Sequence, residues 1–262
     1  WNSPWGKGRP GWHIECSAMS TSILGDSFDL HCGGGDNICP HHENEIAQSE
    51  AISGKTYSRY WMHCGYLVVD GKKMSKSVGN FYTLKNLLDR GYTGREIRYE
   101  LISTHYRQAL NFTFSSLDAN RASLKRLDEF YLKLNDISKN CNPGDLPSWA
   151  KRACNKFSEH MDDDMNISGA LSALYEMVHE GNILLNKDKI TKEQASAIIQ
   201  FWLNIDKVLG FMLPDNEEIP REITELCEKR LLARNEKRWD DSDKIRDQIQ
   251  DLGWIIKDEK DR

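Results

Sequence analysis

Two groups of side chains in this sequence could do chemistry. The first is Lys73-Met74-Ser75-Lys76-Ser77, set between Gly71 and Gly79 and preceded by Val68-Val69-Asp70-Gly71, which reads as a strand and a tight turn. Two ammonium groups three residues apart on such a loop can lie around a triphosphate, where negative charge builds on the phosphoryl oxygens as pyrophosphate leaves. Taken alone, the pair reads more readily as a solvated Lys/Ser loop. The second group has two parts. Trp12-His13-Ile14-Glu15-Cys16 supplies a thiol beside an aromatic, and Pro40-His41-His42-Glu43-Asn44-Glu45 supplies imidazoles and carboxylates where a helix should begin. His41 and Glu45 are four apart and so share one helix face. With Cys16 they offer the nitrogen, oxygen and sulfur donors that suit zinc. Glu43 and Glu45 would also favour a helix N-terminus with no metal present.

Two further segments carry weaker signals. In His31-Cys32-Gly33-Gly34-Gly35-Asp36 the backbone could pass close to a ribose or phosphate, with Asp36 accepting from ribose hydroxyls; a flexible turn is the plainer reading. Between Lys229 and Arg246 lie Lys229, Arg230, Arg234, Lys237, Arg238, Lys244 and Arg246, interleaved with Glu236, Asp240, Asp241 and Asp243, with Trp239 in the middle. Basic side chains around an aromatic can hold phosphates and stack an unpaired base. Alternating charges more usually mark a solvated helix face.

The elements that must position these residues fall into four segments. Residues 1–56 mix Gly-rich turns with short apolar runs and one helix near 42–53, which fits an α/β class, the C-terminal half of a Rossmann-type nucleotide-binding domain. Residues 57–115 hold the strand, the turn and the lysine loop, then a polar helix around 84–105. Residues 116–212 read as an α-helical bundle: Leu117, Leu124, Leu127, Phe130 and Leu134 keep helical spacing, as do Trp149, Ala153 and Phe157. A third helix is predicted from near Ser168 to Leu185. A fourth opens on the capping box Thr191-x-x-Gln194 and closes at Gly210. Residues 213–262 form a small C-terminal domain.

Composition bounds the class. A chain of 262 residues is long enough for more than one domain. With a net charge of −5, any nucleic-acid contact must come from local basic patches. No run approaches the length of a transmembrane helix, and Trp1-Asn2-Ser3 is not the start of a signal peptide, so no membrane partner is expected. Seven cysteines with no Cys-x-x-Cys pair argue against a disulfide framework and fit a reducing, cytoplasmic compartment. Nothing demands a dimer, and a monomer is expected.

Taken together and in order, these segments resemble the cysteinyl-tRNA synthetases, a family of class I aminoacyl-tRNA synthetases. The resemblance rests on Gly8-Arg9-Pro10-Gly11-Trp12-His13-Ile14-Glu15-Cys16, on His41 to Ser49, and on Lys73 to Ser77 followed by Val78-Gly79-Asn80-Phe81. It continues through Tyr106-Arg107-x-x-Leu110-Asn111-Phe112 and Met161-Asp162-Asp163-Asp164-Met165-Asn166, and ends at Ala233-Arg234 and Lys237-Arg238-Trp239. The lysine loop is common to many class I synthetases; the Trp-His-Ile-Glu-Cys and His-His-Glu-Asn-Glu segments point to cysteine.

The resemblance implies an activity and a set of roles. Cysteine would be activated with ATP and Mg2+ to an adenylate and passed to its cognate tRNA. Lys76, assisted by Lys73, would stabilise the phosphate charge, and Lys76, His31, Gly33 and Asp36 would bind ATP. One zinc ion would be held by Cys16, His41 and Glu45, with a fourth protein ligand upstream, and would bind the sulfur of L-cysteine as thiolate. Trp12 would wall the cysteine pocket. Arg234, Trp239, Asp243 and Asp258 would contact the anticodon in a C-terminal anticodon-binding domain. The family's upstream His-Ile-Gly-His-type segment is absent from these 262 residues, so the chain reads as the later part of a longer enzyme, inactive alone. Cys32 and Cys39 depart from the family pattern, which has glycine and a bulky apolar residue there; Cys39 is expected to be buried as a small hydrophobe. Two other readings stand beside this one: a ligase of the same superfamily joining cysteine to an amino sugar, and a non-catalytic RNA-binding fragment.

Overall fold

Threonine caps set four of the helix starts. Thr83, Thr93, Thr113 and Thr191 each accept a hydrogen bond from the backbone N–H three residues on, while Asn86, Glu96, Ser116 and Gln194 reach back to the cap's own N–H. The computed structural model describes residues 1–214, 220–252 and 256, in two units, Trp1–Pro214 and Asp215–Arg262.

The first unit opens with a short antiparallel pair, β1 (Asn2–Ser3) and β2 (Gly6–Lys7), then α1 (Trp12–Leu24). β3 (Phe28–Gly34) runs parallel to β4 (Ser58–Cys64), in register from Phe28↔Ser58 to Gly34↔Cys64, and α2 (Glu43–Ser53) lies in the crossover between them. A parallel pair needs such a crossover, and α1 packs against α2. This βαβ unit places the carboxyl end of β3, where ligands of open α/β sheets bind, beside the turn that enters α2.

The connecting region is built on three strands. β5 (Leu67–Val69) pairs antiparallel with β6 (Lys72–Lys73) and parallel with β7 (Leu110–Phe112). The β5–β6 turn has Asp70 and Gly71 at φ 49° and 72°, the two positive values of a tight hairpin turn. Val69, Leu87, Ile97, Phe112 and Leu117 form a small core under this sheet, with Met74 of the lysine loop packed against it. The polar stretch predicted as one helix is two, α3 (Leu84–Leu88) and α4 (Gly94–Ser103), because the chain turns at Gly91 with φ 83° and restarts on the Thr93 cap. The helix α1 was not anticipated. Its large apolar side chains Trp12, Ile14, Met19, Ile23 and Leu24 are exposed and only Ser17 is buried, so it has no apolar stripe to read.

Helices α5 (Phe114–Ile137), α6 (Ser148–Asp162), α7 (Ile167–Leu185) and α8 (Lys192–Leu209) form the bundle. Leu124, Leu127, Phe130 and Leu134 of α5 meet Phe157, Leu174, Met177, Ile198 and Trp202 in one core. The buried Trp202 indole donates to Met212 O at 2.7 Å, which satisfies its one polar atom. Arginines tie the connecting region to the bundle: Arg95 pairs with Asp128 and donates to Phe211 O at 2.7 Å, and Arg107 donates to Asp164 at 2.6 Å.

Glu100 on α4 is buried and accepts from Ser116 Oγ at 2.6 Å and from Asn120. Burial holds its carboxyl above the usual carboxylate range, with these two hydrogen bonds opposing. The folded chain therefore holds this proton more tightly than the unfolded chain does. Its contribution favours folding below the unfolded value and is lost as pH rises through the folded one. Glu100→Gln removes the ionisation. Its melting temperature relative to the unsubstituted protein is expected to climb by a few degrees between pH 4 and pH 8; a flat difference would show that Glu100 does not titrate differently in the folded state.

The second unit contains α9 (Arg221–Asn235) and α10 (Trp239–Asp251), packed on each other, with Ile223, Ala233, Ser242 and Ile249 buried. Among the described residues no helix is long and apolar enough to cross a membrane, and all seven cysteines are unpaired.

Candidate active site

The turn Ile38–His42 delivers His41 just before α2, and Glu45 follows one turn into the helix. Both are buried, Glu45 completely. Glu45 Oε1 lies 2.7 Å from His41 Nε2, yet it has no hydrogen-bond partner. A buried carboxylate oxygen beside an imidazole nitrogen, with no proton aligned between them, needs an explanation, and a shared cation is one. Cys16 joins them from α1: one ligand atom each from Cys16, His41 and Glu45 lie within 4.8 Å of one another. This donor set fits zinc.

A second set, His31, His42 and Glu45, meets the same distance limit. The Glu45 oxygen on that side, Oε2, already accepts from the Tyr57 hydroxyl at 3.0 Å and lies 3.5 Å from His31 Nε2. His42 Nδ1 is engaged with His63 Nε2 at 2.8 Å. The orphaned Glu45 Oε1 faces His41 of the Cys16 set, which makes that set the better cation site.

The surroundings hold these ligands in place. His13 Nδ1 and His41 Nδ1 are 2.6 Å apart, which orients the His41 ring with Nε2 toward Glu45. Trp12 stacks on His41 with ring centroids 4.1 Å apart and is 58% exposed; it is not a core tryptophan. The Cys16 thiol is held above its ordinary pKa by burial and then by the Glu45 and Glu15 carboxylates, with a hydrogen bond to Trp12 opposing. A cation is what would favour its thiolate. Burial, followed by the charges of His31, His63 and His41, brings His42 down to about 4. Burial also lowers His31, against the attraction of Glu45. Tyr57 is pushed up to about 12, chiefly by burial.

Of the residues expected to bind nucleotide, His31 lies against Glu45 and stacks on Trp61 at 4.6 Å. Gly33 is required by its neighbour, since a Cβ there would fall 2.6 Å from the His42 ring. Asp36 is exposed in the turn Gly35–Asn37, just past the carboxyl end of β3. Cys39, expected to be buried, is exposed. It has extended backbone at φ −131° inside the turn before α2, and its side chain joins no core.

The lysine loop is braced by two asparagines. Asn80 accepts from Ser75 N at 2.9 Å and donates to Lys73 O at 3.1 Å; Asn111 of β7 accepts from Gly71 N at 2.8 Å. Lys73 and Lys76 are both exposed, and Lys76 Nζ stands 5.5 Å over the Phe81 ring. Among the described residues neither pairs with a carboxylate.

In the second unit Trp239 begins α10 and is 58% exposed, so it does not serve as core. It lines a cavity of about 300 Å³ with Lys237, Arg238, Asp240 and Asp241. Arg238 is bridged by Glu236 and Asp241, and Arg246 by Asp243. Arg234 is half-buried on α9 and Asp243 is exposed on α10; Asp258 lies outside the described residues.

The family described as "tRNA synthetases class I (C) catalytic domain" matches residues 1–122, the DALR domain matches residues 156–213, and the "Cysteinyl-tRNA ligase anticodon binding domain" matches residues 216–262. The chain is 50% identical to a cysteine–tRNA ligase of Chlamydia felis, over 99% of this chain and 55% of that protein. It is 46% identical to one from Protochlamydia amoebophila, over 98% of this chain and 54% of that protein. The chain belongs to the cysteine–tRNA ligase family. It spans about half the length of the curated relatives it matches. An Agrobacterium radiobacter LeuRS, solved as a ternary complex with tRNA and LeuAMS, shares the fold at a TM-score of 0.59 and 15% identity, over 70% of this chain and 26% of that one. The class I fold expected from the sequence is thus the fold this family has.

Sequence reasoning did not find Tyr57, and it gave Asn80 and Asn111 no role. The asparagines sit in segments that already drew notice; Tyr57 sits in none. Its contact with Glu45 is tertiary and has no spacing signature.

Proposed function

We propose that this chain carries part of the active site and the anticodon-reading region of a cysteine–tRNA ligase, which activates cysteine with ATP and transfers it to its tRNA. The observation that carries the reading is the Cys16–His41–Glu45 group, half-buried at Cys16 and buried at His41 and Glu45, with its orphaned Glu45 oxygen. Lys76 and Lys73 extend from the braced loop to the phosphates of ATP, which enters with Mg2+, and stabilise the charge that builds as pyrophosphate leaves. Asp36 accepts from the ribose hydroxyls at the end of β3, beside Gly33 and His31. Cys16, His41 and Glu45 hold the zinc, and Trp12 walls the pocket. When bound, zinc accepts a sulfur ligand strongly and a neutral hydroxyl weakly, a basis for separating cysteine from serine that an apolar pocket lacks. We place the enzyme in the cytoplasm as a monomer.

The test is amino-acid-dependent ATP–pyrophosphate exchange by the protein as its gene encodes it in full. Cysteine should support exchange and serine should not; the charged product should be tRNA. Transfer to an amino sugar but never to tRNA would refute the reading.

Arg234, Trp239, Asp243 and Asp258 are the proposed anticodon contacts. Removing one stacked aromatic weakens binding by about 1–3 kcal/mol. Trp239→Ala is accordingly expected to lower kcat/KM for tRNA charging roughly 5- to 150-fold, with cysteine activation intact. An equal loss in both steps would mean that Trp239 supports the fold instead.

A further inference from the structure

The two oxygens of Glu45 have unlike surroundings. Oε1 has no hydrogen-bond partner, while Oε2 accepts from the Tyr57 hydroxyl at 3.0 Å. Tyr57 is wholly buried and fixed from several sides. Its backbone N–H donates to Glu50 Oε1 at 2.9 Å, and its carbonyl accepts from Phe28 N at 3.2 Å. Its ring stands edge-on to Phe28 at 4.9 Å, and its hydroxyl lies 2.5 Å from Ser20 Oγ on α1. Ser20 Oγ also donates to Cys16 O at 2.7 Å, so its one proton is shared between that carbonyl and the phenolic oxygen, while the Glu45 carboxylate, which can only accept when ionised, takes the Tyr57 proton. The other group facing Oε2 is His31 Nε2, at 3.5 Å.

We propose that Tyr57 is a positioning residue that holds Glu45 Oε2 and so commits this carboxylate to offer the cation one oxygen, Oε1. The inference rests on the zinc reading of Cys16, His41 and Glu45 given above. A carboxylate free to turn can present both oxygens to a metal, and a second oxygen would crowd the side from which a substrate's sulfur joins the protein ligands. Fixing Oε2 from behind removes that option. Partners that orient a metal ligand in this way are worth about 10- to 100-fold in metal affinity.

Tyr57→Phe deletes only the hydroxyl oxygen and keeps the ring in its packing. The probe is Co(II) in place of zinc in the protein encoded in full, read by visible absorption, with zinc affinity measured by chelator competition. The expected result is zinc affinity lower by about 10- to 100-fold. Weaker Co(II) bands are expected with it, as a second carboxylate oxygen takes the ion beyond four-coordination. The KM for cysteine should rise while that for ATP stays the same. Wild-type affinity and an unchanged spectrum would overturn the proposal. Cys16→Ser, measured alongside, separates the two layers. If it abolishes metal binding while Tyr57→Phe does nothing, the assignment of Tyr57 alone is wrong. If Cys16→Ser leaves metal binding untouched, the zinc reading falls and takes this inference with it. Should Tyr57→Phe fail to fold, Ser20→Ala keeps the test open, because it frees the phenol to rotate. A smaller change of the Co(II) bands in the same direction supports the role of Tyr57, and an unchanged spectrum overturns it.

Discussion

With His41 or Glu45 replaced by alanine, the protein encoded in full is expected to lose its zinc and to need far more cysteine for half-maximal activation, while its KM for ATP changes little. Deleting a direct ligand should exceed the roughly 10- to 100-fold loss of affinity that follows removal of an orienting partner. The split between the substrates follows from location. His41 and Glu45 face Cys16 and Trp12, whereas the lysines stand on a separate braced loop. Glu45→Ala also leaves the buried Tyr57 hydroxyl without its acceptor, a cost of about 1–3 kcal/mol in stability. Glu45→Gln keeps an acceptor for Tyr57 and is the cleaner variant. Metal content and the two KM values from exchange kinetics check the prediction. Unchanged zinc content would remove both residues from the site.

Lys76→Ala should slow cysteine activation by about 100- to 1000-fold, the loss seen when one group that stabilises developing charge is removed, equivalent to about 2.7–4 kcal/mol of barrier. The KM for cysteine should stay near its original value, since the ammonium acts on phosphate charge that is greatest in the transition state. The side chain is exposed and, among the described residues, its one recorded partner is the Phe81 ring at 5.5 Å, so its loss should leave stability within about 0.5 kcal/mol. Lys73→Ala should cost less, because Lys73 sits in β6 at the base of the loop. A variant that raises the KM for cysteine with kcat intact would place Lys76 in substrate binding and not in catalysis.

What the sequence disclosed follows the range of the interactions involved. The bundle was legible because its signals are local: Leu124, Leu127, Phe130 and Leu134 repeat at helical spacing and are all buried, and Thr191 with Gln194 forms the capping box read from the sequence. The proximity of His41 and Glu45 was legible for the same reason, since four residues along a helix fix their distance. Cys16 lies 29 positions before Glu45 and is brought there by the packing of α1 on α2, which no spacing rule conveys; donor chemistry suggested it and the family resemblance gave it its role. Helix α1 escaped notice because its apolar residues ring the helix. The break at Gly91 was hidden because a polar stretch carries little periodicity to interrupt. Cys39 was misjudged because a thiol's preference for burial is statistical, and its place in an exposed turn is set by the His41 geometry that follows it.

The most direct test of the account is X-ray absorption at the zinc edge of the protein encoded in full, recorded alone, with L-cysteine and with L-serine. The account predicts zinc in a mixed sulfur, nitrogen and oxygen environment, which gains one sulfur neighbour with cysteine and none with serine. Substituting Cys16 should remove one sulfur from the resting spectrum. A spectrum identical with and without cysteine, or a purified active protein without zinc, would contradict it.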